Sequence, residues 1–472
     1  MKPSTLALTV FLVLVTSCVP AAAATERAVK QPNIVLVFAD DLGWKDTGYT
    51  GSDFYETPHI DRLAKDGMVF TSAYAGGANC VPSRACLLSG QYTPRHGVYA
   101  VGGTRRGPVD RMRLVPIPNG EFLPRNVTLA EALKAAGYAT GCFGKWHLGA
   151  DAGPTGPRNQ GFDFAMGSRG KGPADPKGIF TITQAACEFI ETNKDGPFLA
   201  YVSHNAIHSP LQARPESLAR FKAKQSGRQH DDALYAACTY DLDEGVRILL
   251  KKLADLDLEK NTLVVFTSDN GGTPQSSQEP LRGAKGCYYE GGIREPFIVR
   301  WPGVVEPGTT CDVPVINQDL YPTFLAAASA AAPANHPLDG ENLLPLLKGG
   351  GALQREAIFW HFPGYLDTPV PRGRDPVFRT RPVSVIRKGD WKLHLYHEEW
   401  QLDGGREKID SNRAVELYNI AEDIGERKDL ARDNTARRDE LLDDLLDWFE
   451  AVDASLPTEK NAAYRLQPQD SK

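Results

Sequence analysis

The 472-residue sequence predicts an α/β fold: a three-layer α/β/α sandwich followed by a smaller C-terminal subdomain of antiparallel sheet plus helix. Two observations carry this prediction. Three apolar, β-branched-rich runs each stop abruptly at polar residues and alternate with helical patterns. Near residues 349–351, a run of glycines, that rhythm gives way to short strand-like segments separated by turn signals.

In chain order, residues 1–24 read as an export signal, with Lys2 as the basic start, an apolar stretch over 6–15 and small residues at 21–24. The apolar stretch is too short for a membrane span. Val15-Thr16-Ser17-Cys18 also resembles a bacterial lipobox, so Cys18 is either a lipid attachment site or part of a discarded peptide. A main domain over 25–350, a subdomain over 351–457 and a polar tail over 458–472 follow.

Residues 33–39 read as a buried strand with Asp40 and Asp41 just past its end. Thr57 caps a helix opened by Pro58 and stopped by Gly67. Thr128 and Glu131 form a capping box for a helix ending near Gly137. Residues 198–203 are a second strand, followed by His204, Asn205 and His208, and residues 231–253 have helical periodicity. A third strand over 263–267 runs into Asp269 and Asn270. Polar residues that step off three strands share one edge of the sheet, where open α/β sheets hold ligands. The alanine-rich residues 326–334 read as a helix end running into a loop. Strands over 358–361, 383–386, 390–395 and 415–418 and a charged helix over 437–449 complete the subdomain.

With 53 basic and 59 acidic residues the net charge is −6, which gives no argument for nucleic-acid binding. An anionic ligand must be met by local positive charge. The eight cysteines show no CxxC and no zinc-like pairing with histidine, so most are expected as buried thiols. Cys86, six positions after Cys80, is expected to cover the same helix face.

Asp40, Asp41, Asp269 and Asn270 offer hard oxygens, suited to calcium or magnesium rather than zinc. Two such pairs at separate strand ends repel unless a cation compensates them. Cys80-Val81-Pro82-Ser83-Arg84 is the most specific motif of the chain. Lys145-x-His147, His208 and Lys285 follow it in order. Read alone, His147 could equally be a core histidine, and His204 competes with His208 because both follow the same strand.

This set resembles the formylglycine-dependent sulfatases of the alkaline-phosphatase-like superfamily, most of all bacterial exported carbohydrate sulfatases. The resemblance implies that Cys80 is oxidised to formylglycine, whose hydrate attacks sulfur, and that machinery generating formylglycine acts on the chain. It also implies one calcium ion, or magnesium, held by Asp40, Asp41, residue 80, Asp269 and Asn270. Arg84 is then expected to favour the ionised nucleophile, Lys145 and Lys285 to hold sulfate, His208 to protonate the departing alcohol and His147 to take a proton as sulfate leaves. A Cys80–Cys86 disulfide would block the modification, so modification before transfer to a bacterial periplasm is the compartment expected. The Asn126-Val127-Thr128 sequon is expected to be unused.

The expected substrate is a sulfated carbohydrate, an algal galactan such as carrageenan, with sulfated N-acetylgalactosamine of glycosaminoglycans as the runner-up. Phosphate or phosphonate ester hydrolysis, known in the same superfamily, is the alternative chemistry. For the sugar, His204, Trp360, His361, Arg379 and Arg381 are candidate contacts. The stretch holding Arg372, Arg374, Arg379 and Arg381 either meets further sulfates or is held by local acids such as Asp375.

Overall fold

The computed structural model describes residues 31–167, 170 and 172–466. The leader and Cys18 lie outside the described residues.

An eight-stranded sheet forms the core, in the order Phe164–Met166, Ala139–Gly144, Phe198–Ser203, Asn33–Ala39, Thr262–Ser268, Phe297–Arg300, Met68–Phe70, Thr309–Cys311. The first five strands of that order run parallel, and Phe297–Arg300 pairs antiparallel on both sides. Successive side chains of a strand point to opposite faces. In the central strand Ile34, Leu36 and Phe38 enter one apolar cluster, and Val35, Val37 and Ala39 enter the other. Both faces are therefore covered, which is why this segment is continuously apolar rather than alternating. Helices Cys80–Ser89, Leu129–Ala135 and Leu320–Ala327 cover one face. Helices Pro58–Lys65, Ile179–Thr192 and Ala233–Asp255 cover the other. The three-layer expectation holds.

Of the helix starts read from sequence, the Thr128 box forms, whereas Thr57 makes no side-chain cap before Pro58 because its Oγ1 donates to Asp61 Oδ1 at 2.8 Å. Thr128 Oγ1 accepts from the Glu131 N–H at 3.1 Å, while Glu131 Oε2 accepts from the Thr128 N–H at 2.7 Å. The second domain layer is a four-stranded antiparallel sheet, Ala357–Phe362, Val383–Lys388, Trp391–Tyr396 and Val415–Asn419, with helix Thr435–Ala451 packed on it. Residues at the start of the expected polar tail pack instead of trailing away. Val115 donates to Glu459 at 2.8 Å, and Asn461 Nδ2 donates to Val109 and Met112 carbonyls at 2.8 Å. Among the described residues, no helix is long and apolar enough to cross a membrane.

Candidate active site

Four parallel strands end in register, Ala39 beside Ser268, Phe38 beside Ser203, and Gly144 beside Ser203. Asp40, Lys145, His204 and Asp269 are the next residues, so the sheet delivers them to one edge. Two residues here adopt left-handed backbone: Asp41 at φ +66° and His147 at φ +65°. A side chain makes that conformation costly, by about 1 kcal/mol, and it is retained chiefly where the surroundings over-determine it.

Cys80 opens the helix Cys80–Ser89 at this edge and is 1% exposed. Its Sγ, which stands where the oxygens of a hydrated aldehyde would be, lies 3.5 Å from Asp40 Oδ1, 3.8 Å from Asp41 Oδ1 and 3.1 Å from Lys285 Nζ. Burial, then the charges of Asp269, Asp40 and Asp41, push its thiol well above the usual range. Without a cation in the site, burial and these carboxylates therefore disfavour a Cys80 thiolate.

Arg84 sits one helical turn on, with no exposure. Nε and Nη2 donate to Asp269 Oδ2 at 3.0 and 2.8 Å, and Nη1 donates to Ser203 Oγ at 2.5 Å and to Tyr201 OH and the Lys145 carbonyl at 3.1 Å. Its hydrogen bonds therefore go to three strand ends rather than to Cys80. Although burial opposes it, the Arg84, Lys145 and Lys285 charges hold Asp269 well below the usual carboxylate range. Asp40 moves the other way: burial and the nearby Asp269 push it up to about 7, against the pull of Lys145. Lys145 Nζ donates to both Asp40 oxygens, at 2.9 and 2.7 Å. Lys285 Nζ donates to Asp41 Oδ1 at 2.6 Å, and both lysines stay cationic because the carboxylates outweigh burial.

One ligand atom each from Asp40, Asp41, Cys80 and Asp269 lies within 4.8 Å of the others. Asn270 Oδ1 is buried beside them with no donor, while its Nδ2 donates to Asp41 Oδ1 at 2.8 Å. Crowded carboxylates and an orphaned carbonyl oxygen fit a hard divalent cation.

His147 is exposed at the mouth, and its pKa is pushed down to about 4 by partial desolvation and then by the Lys145 and Arg84 charges. His208 is half-buried, with Nδ1 2.5 Å from the Ser209 carbonyl and Nε2 3.8 Å from Asp41 Oδ2. The carbonyl assigns the proton to Nδ1 and leaves Nε2 facing the site. Desolvation lowers its pKa, with Asp41 opposing.

The sequence-expected residues Asp40, Asp41, Cys80, Arg84, Lys145, His147, His208, Asp269, Asn270 and Lys285 thus come together. Most of the expected sugar contacts do not. His204 is buried against Gly245, with its N–H on the Phe38 carbonyl at 3.0 Å. Trp360 is 1% exposed and its indole donates to the Ala75 carbonyl at 2.7 Å, so it is core and not a platform. His361 is spent on Ser384 Oγ and the Ser455 carbonyl, at 2.7 and 3.0 Å. Arg381 pairs with Asp375 and Glu398, Arg374 with Glu399 and Glu416, and Arg372 with Glu279. Local acids account for that basic stretch. Arg379 alone of the four has carbonyl partners only, donating to Lys285 and Thr368 at 3.2 and 3.1 Å. Cys86 does not share the face of Cys80: six residues at 100° turn it away, onto His96 Nε2 at 3.4 Å and Gly76. All cysteines among the described residues are free thiols.

Sequence reasoning missed Ser203 and Tyr201, which hold Arg84, and the strand Ala139–Gly144 that presents Lys145. Only the alternation of the 198–203 strand could have pointed to the first two.

Comparison with known proteins agrees with this geometry. Residues 32–330 match the family model described as Sulfatase, and residues 284–447 match N-sulphoglucosamine sulphohydrolase, C-terminal. The chain is 34% identical to human (Homo sapiens) arylsulfatase A over 87% of this chain and 85% of that protein. It is 33% identical to N-acetylgalactosamine-6-sulfatase of Mus musculus, over 78% and 73% of the two chains. Among solved structures, Ps i-CgsB in complex with k-i-k-neocarrahexaose is 29% identical, covering 94% and 96% of the two chains with a TM-score of 0.72. The chain belongs to the sulfatase family and is a sulfuric-ester hydrolase.

Proposed function

We propose that this sulfatase removes a sulfate ester from a sulfated carbohydrate of the algal-galactan type, such as carrageenan, with formylglycine at position 80. The observation that carries the reading is the placement of Cys80 Sγ among two aspartate oxygens and the Lys285 ammonium. The sugar class is supported by the relative crystallised with a neocarrahexaose. The similar N-acetylgalactosamine-6-sulfatase makes a sulfated N-acetylgalactosamine the second reading.

Hydrated formylglycine would supply one hydroxyl to attack sulfur and a second whose deprotonation lets sulfate leave as the aldehyde returns. A calcium ion, with magnesium as the alternative, would be held by Asp40, Asp41, Asp269, Asn270 and residue 80 and would supply Lewis acidity toward a sulfate oxygen. The chain's own groups do the rest. Lys145 and Lys285 hold fixed positive charge where the sulfuryl oxygens gain negative charge, so their stabilisation grows toward the transition state. Arg84 keeps Asp269 ionised and locks the strand ends. As the S–O bond to the sugar breaks, its electrons go to the sugar oxygen, and His208 in its imidazolium form, with Nδ1–H kept on the Ser209 carbonyl, delivers the Nε2 proton. His147, neutral above about pH 4, would take the proton of the second hydroxyl as sulfate leaves. Arg379, beside the Lys285 carbonyl, is the sugar contact retained from the sequence reading.

Maturation would require the machinery that makes formylglycine, and the leader would export the protein to the periplasm, with Cys18 as an optional lipid anchor. The test is a panel of defined sulfated oligosaccharides from carrageenans and glycosaminoglycans, with matched phosphate esters, scored for released sulfate and for the carbon that loses it. Release from carrageenan oligosaccharides is expected. Release confined to N-acetylgalactosamine sulfates or to phosphate esters would replace the galactan reading.

A further inference from the structure

Two hydroxyls beside the active site converge on one atom of a residue so far given no role. Ser209 Oγ and Thr273 Oγ1 each donate to Gln275 Oε1 at 3.0 Å. They come from loops that leave the strands Phe198–Ser203 and Thr262–Ser268, which flank the central strand Asn33–Ala39. Ser209 follows His208 directly, and Thr273 lies three residues past Asn270. Gln275 therefore ties the loop of the proton donor to the loop of the metal-site residues.

The Gln275 side chain is exposed, yet its backbone is firmly rooted. The Ser276 N–H donates to the Thr273 carbonyl at 3.2 Å, closing a turn with Pro274 and Gln275 at its middle. Ser276 Oγ donates to the fully buried Asp46 at 2.6 Å, and the Lys285 N–H donates to the Gly272 carbonyl at 2.8 Å. The carboxamide is thus presented from a fixed turn.

The loop it holds has its backbone braces ahead of Ser209. Ile207 donates to the Asp40 carbonyl at 2.7 Å and the His208 N–H to the Asn205 carbonyl at 3.0 Å. Beyond Ser209, Pro210 has no N–H to contribute. Ser209 matters because its carbonyl lies 2.5 Å from His208 Nδ1, the contact that keeps the proton there and turns Nε2 toward the site. A tethered hydroxyl keeps that carbonyl in place.

Resting on the reading above, in which His208 protonates the departing alcohol, we propose that Gln275 is a positioning residue for that proton transfer. Its carboxamide oxygen holds Ser209, and the Ser209 carbonyl in turn aims His208 Nε2 at the leaving oxygen. Gln275 acts through Ser209 and not on the sulfate itself.

The test uses the calcium-loaded, formylglycine-bearing enzyme and two esters whose leaving oxygens differ in their need for a proton. Phenolate leaving from phenyl sulfate needs one far more than nitrophenolate leaving from 4-nitrophenyl sulfate. The readout is the ratio of kcat/KM for the nitrophenyl ester to that for the phenyl ester. Removing the donor outright, in His208→Ala, should raise this ratio by about 10². Gln275→Leu should raise it about fivefold, as for one lost hydrogen bond in an otherwise intact site. Ser209→Ala should match it, and the double variant should do no more than either alone, because both cut one tether. Gln275→Glu keeps the acceptor and should leave the ratio within about twofold of the unmutated enzyme.

Nitrogen NMR of enzyme labelled at histidine reads the tautomer without turnover, the His208 signal being the one missing from His208→Ala. An Nδ1-protonated ring is expected in the unmutated enzyme and in Gln275→Glu, and mixed tautomers in Gln275→Leu. Equal losses on both esters in Gln275→Leu, with the tautomer unmoved, would leave the residue a structural role only and overturn the proposal. If the ratio rises in His208→Ala all the same, the reaction reading survives that failure. An unchanged ratio in His208→Ala itself removes the reading on which the tether rests, and the proposal with it.

Discussion

At the scale of single residues, charge decides what position 80 can do. Burial and the carboxylates of Asp40, Asp41 and Asp269 work against a thiolate there, whereas a neutral aldehyde hydrate needs no such charge before it reacts. Cys80→Ser made in a host that converts only cysteine is expected to lose at least 10³-fold in sulfate release without a change in melting temperature. Lys285→Ala should lower kcat by about 10²–10³, as for loss of one preorganised donor, with a smaller change in KM. Chelation should abolish activity and lower the melting temperature, because Asp40, Asp41 and Asp269 then repel one another in a buried cluster. Calcium should restore both. The acidic pairs were legible because two of them past separate strand ends repel without a cation, whereas Cys80, Lys145 and Lys285 were found through the motif resemblance. Trp360 and His361 misled for the opposite reason. An aromatic next to a histidine looks the same whether it faces a sugar or satisfies a carbonyl in the core, and only the packing of Ala75, Ser384 and Ser455 decides it.

At the scale of elements, the site is precise because strands, not loops, place its parts. Gly144 illustrates the tolerance. It has φ +98°, and a β-carbon there would collide with the Ser203 carbonyl oxygen. Gly144→Ala should therefore displace Lys145 and the Ser203 partner of Arg84, lowering activity by more than tenfold while leaving secondary structure intact by circular dichroism. The segment carrying Lys285 is tied down from the other side. Lys392, with no exposure, bridges Glu290 and Glu426 at 2.9 Å each. Lys392→Met leaves two buried carboxylates facing each other and should cost about 3–5 kcal/mol in urea unfolding. The strands at 33–39, 198–203 and 262–268 were readable as apolar runs before polar residues. The strand at 139–144 was not, because its two glycines and lack of β-branched residues beyond Thr140 dilute the pattern, and neighbouring strands rather than propensity hold it.

Across the whole molecule, the class of fold followed from rhythm: buried strands alternating with helices, then short strands in antiparallel order. What rhythm could not reveal is the set of buried polar groups that join the layers. His96, His204 and His361 lie in the core, where burial pushes their pKa values down to about 3, 4 and 4. Unfolded histidine titrates near 6.5. Between that value and about pH 4 the unfolded chain binds more protons than the native one. Their contribution is therefore complete above pH 6.5 and is lost as pH falls toward 4, by up to about 3 kcal/mol per histidine. The melting temperature measured from pH 7.5 to 4.5 should drop steadily below pH 6.5, and replacing His361 by glutamine should flatten part of that slope.

The chemistry attributed to the strand edge depends on what residue 80 becomes, which peptide mass spectrometry reads directly. Active enzyme, digested and treated with a carbonyl-reactive reagent, is expected to yield the residue-80 peptide as the labelled aldehyde, in proportion to specific activity. Fully active enzyme whose residue-80 peptide carries only an alkylatable thiol would contradict it.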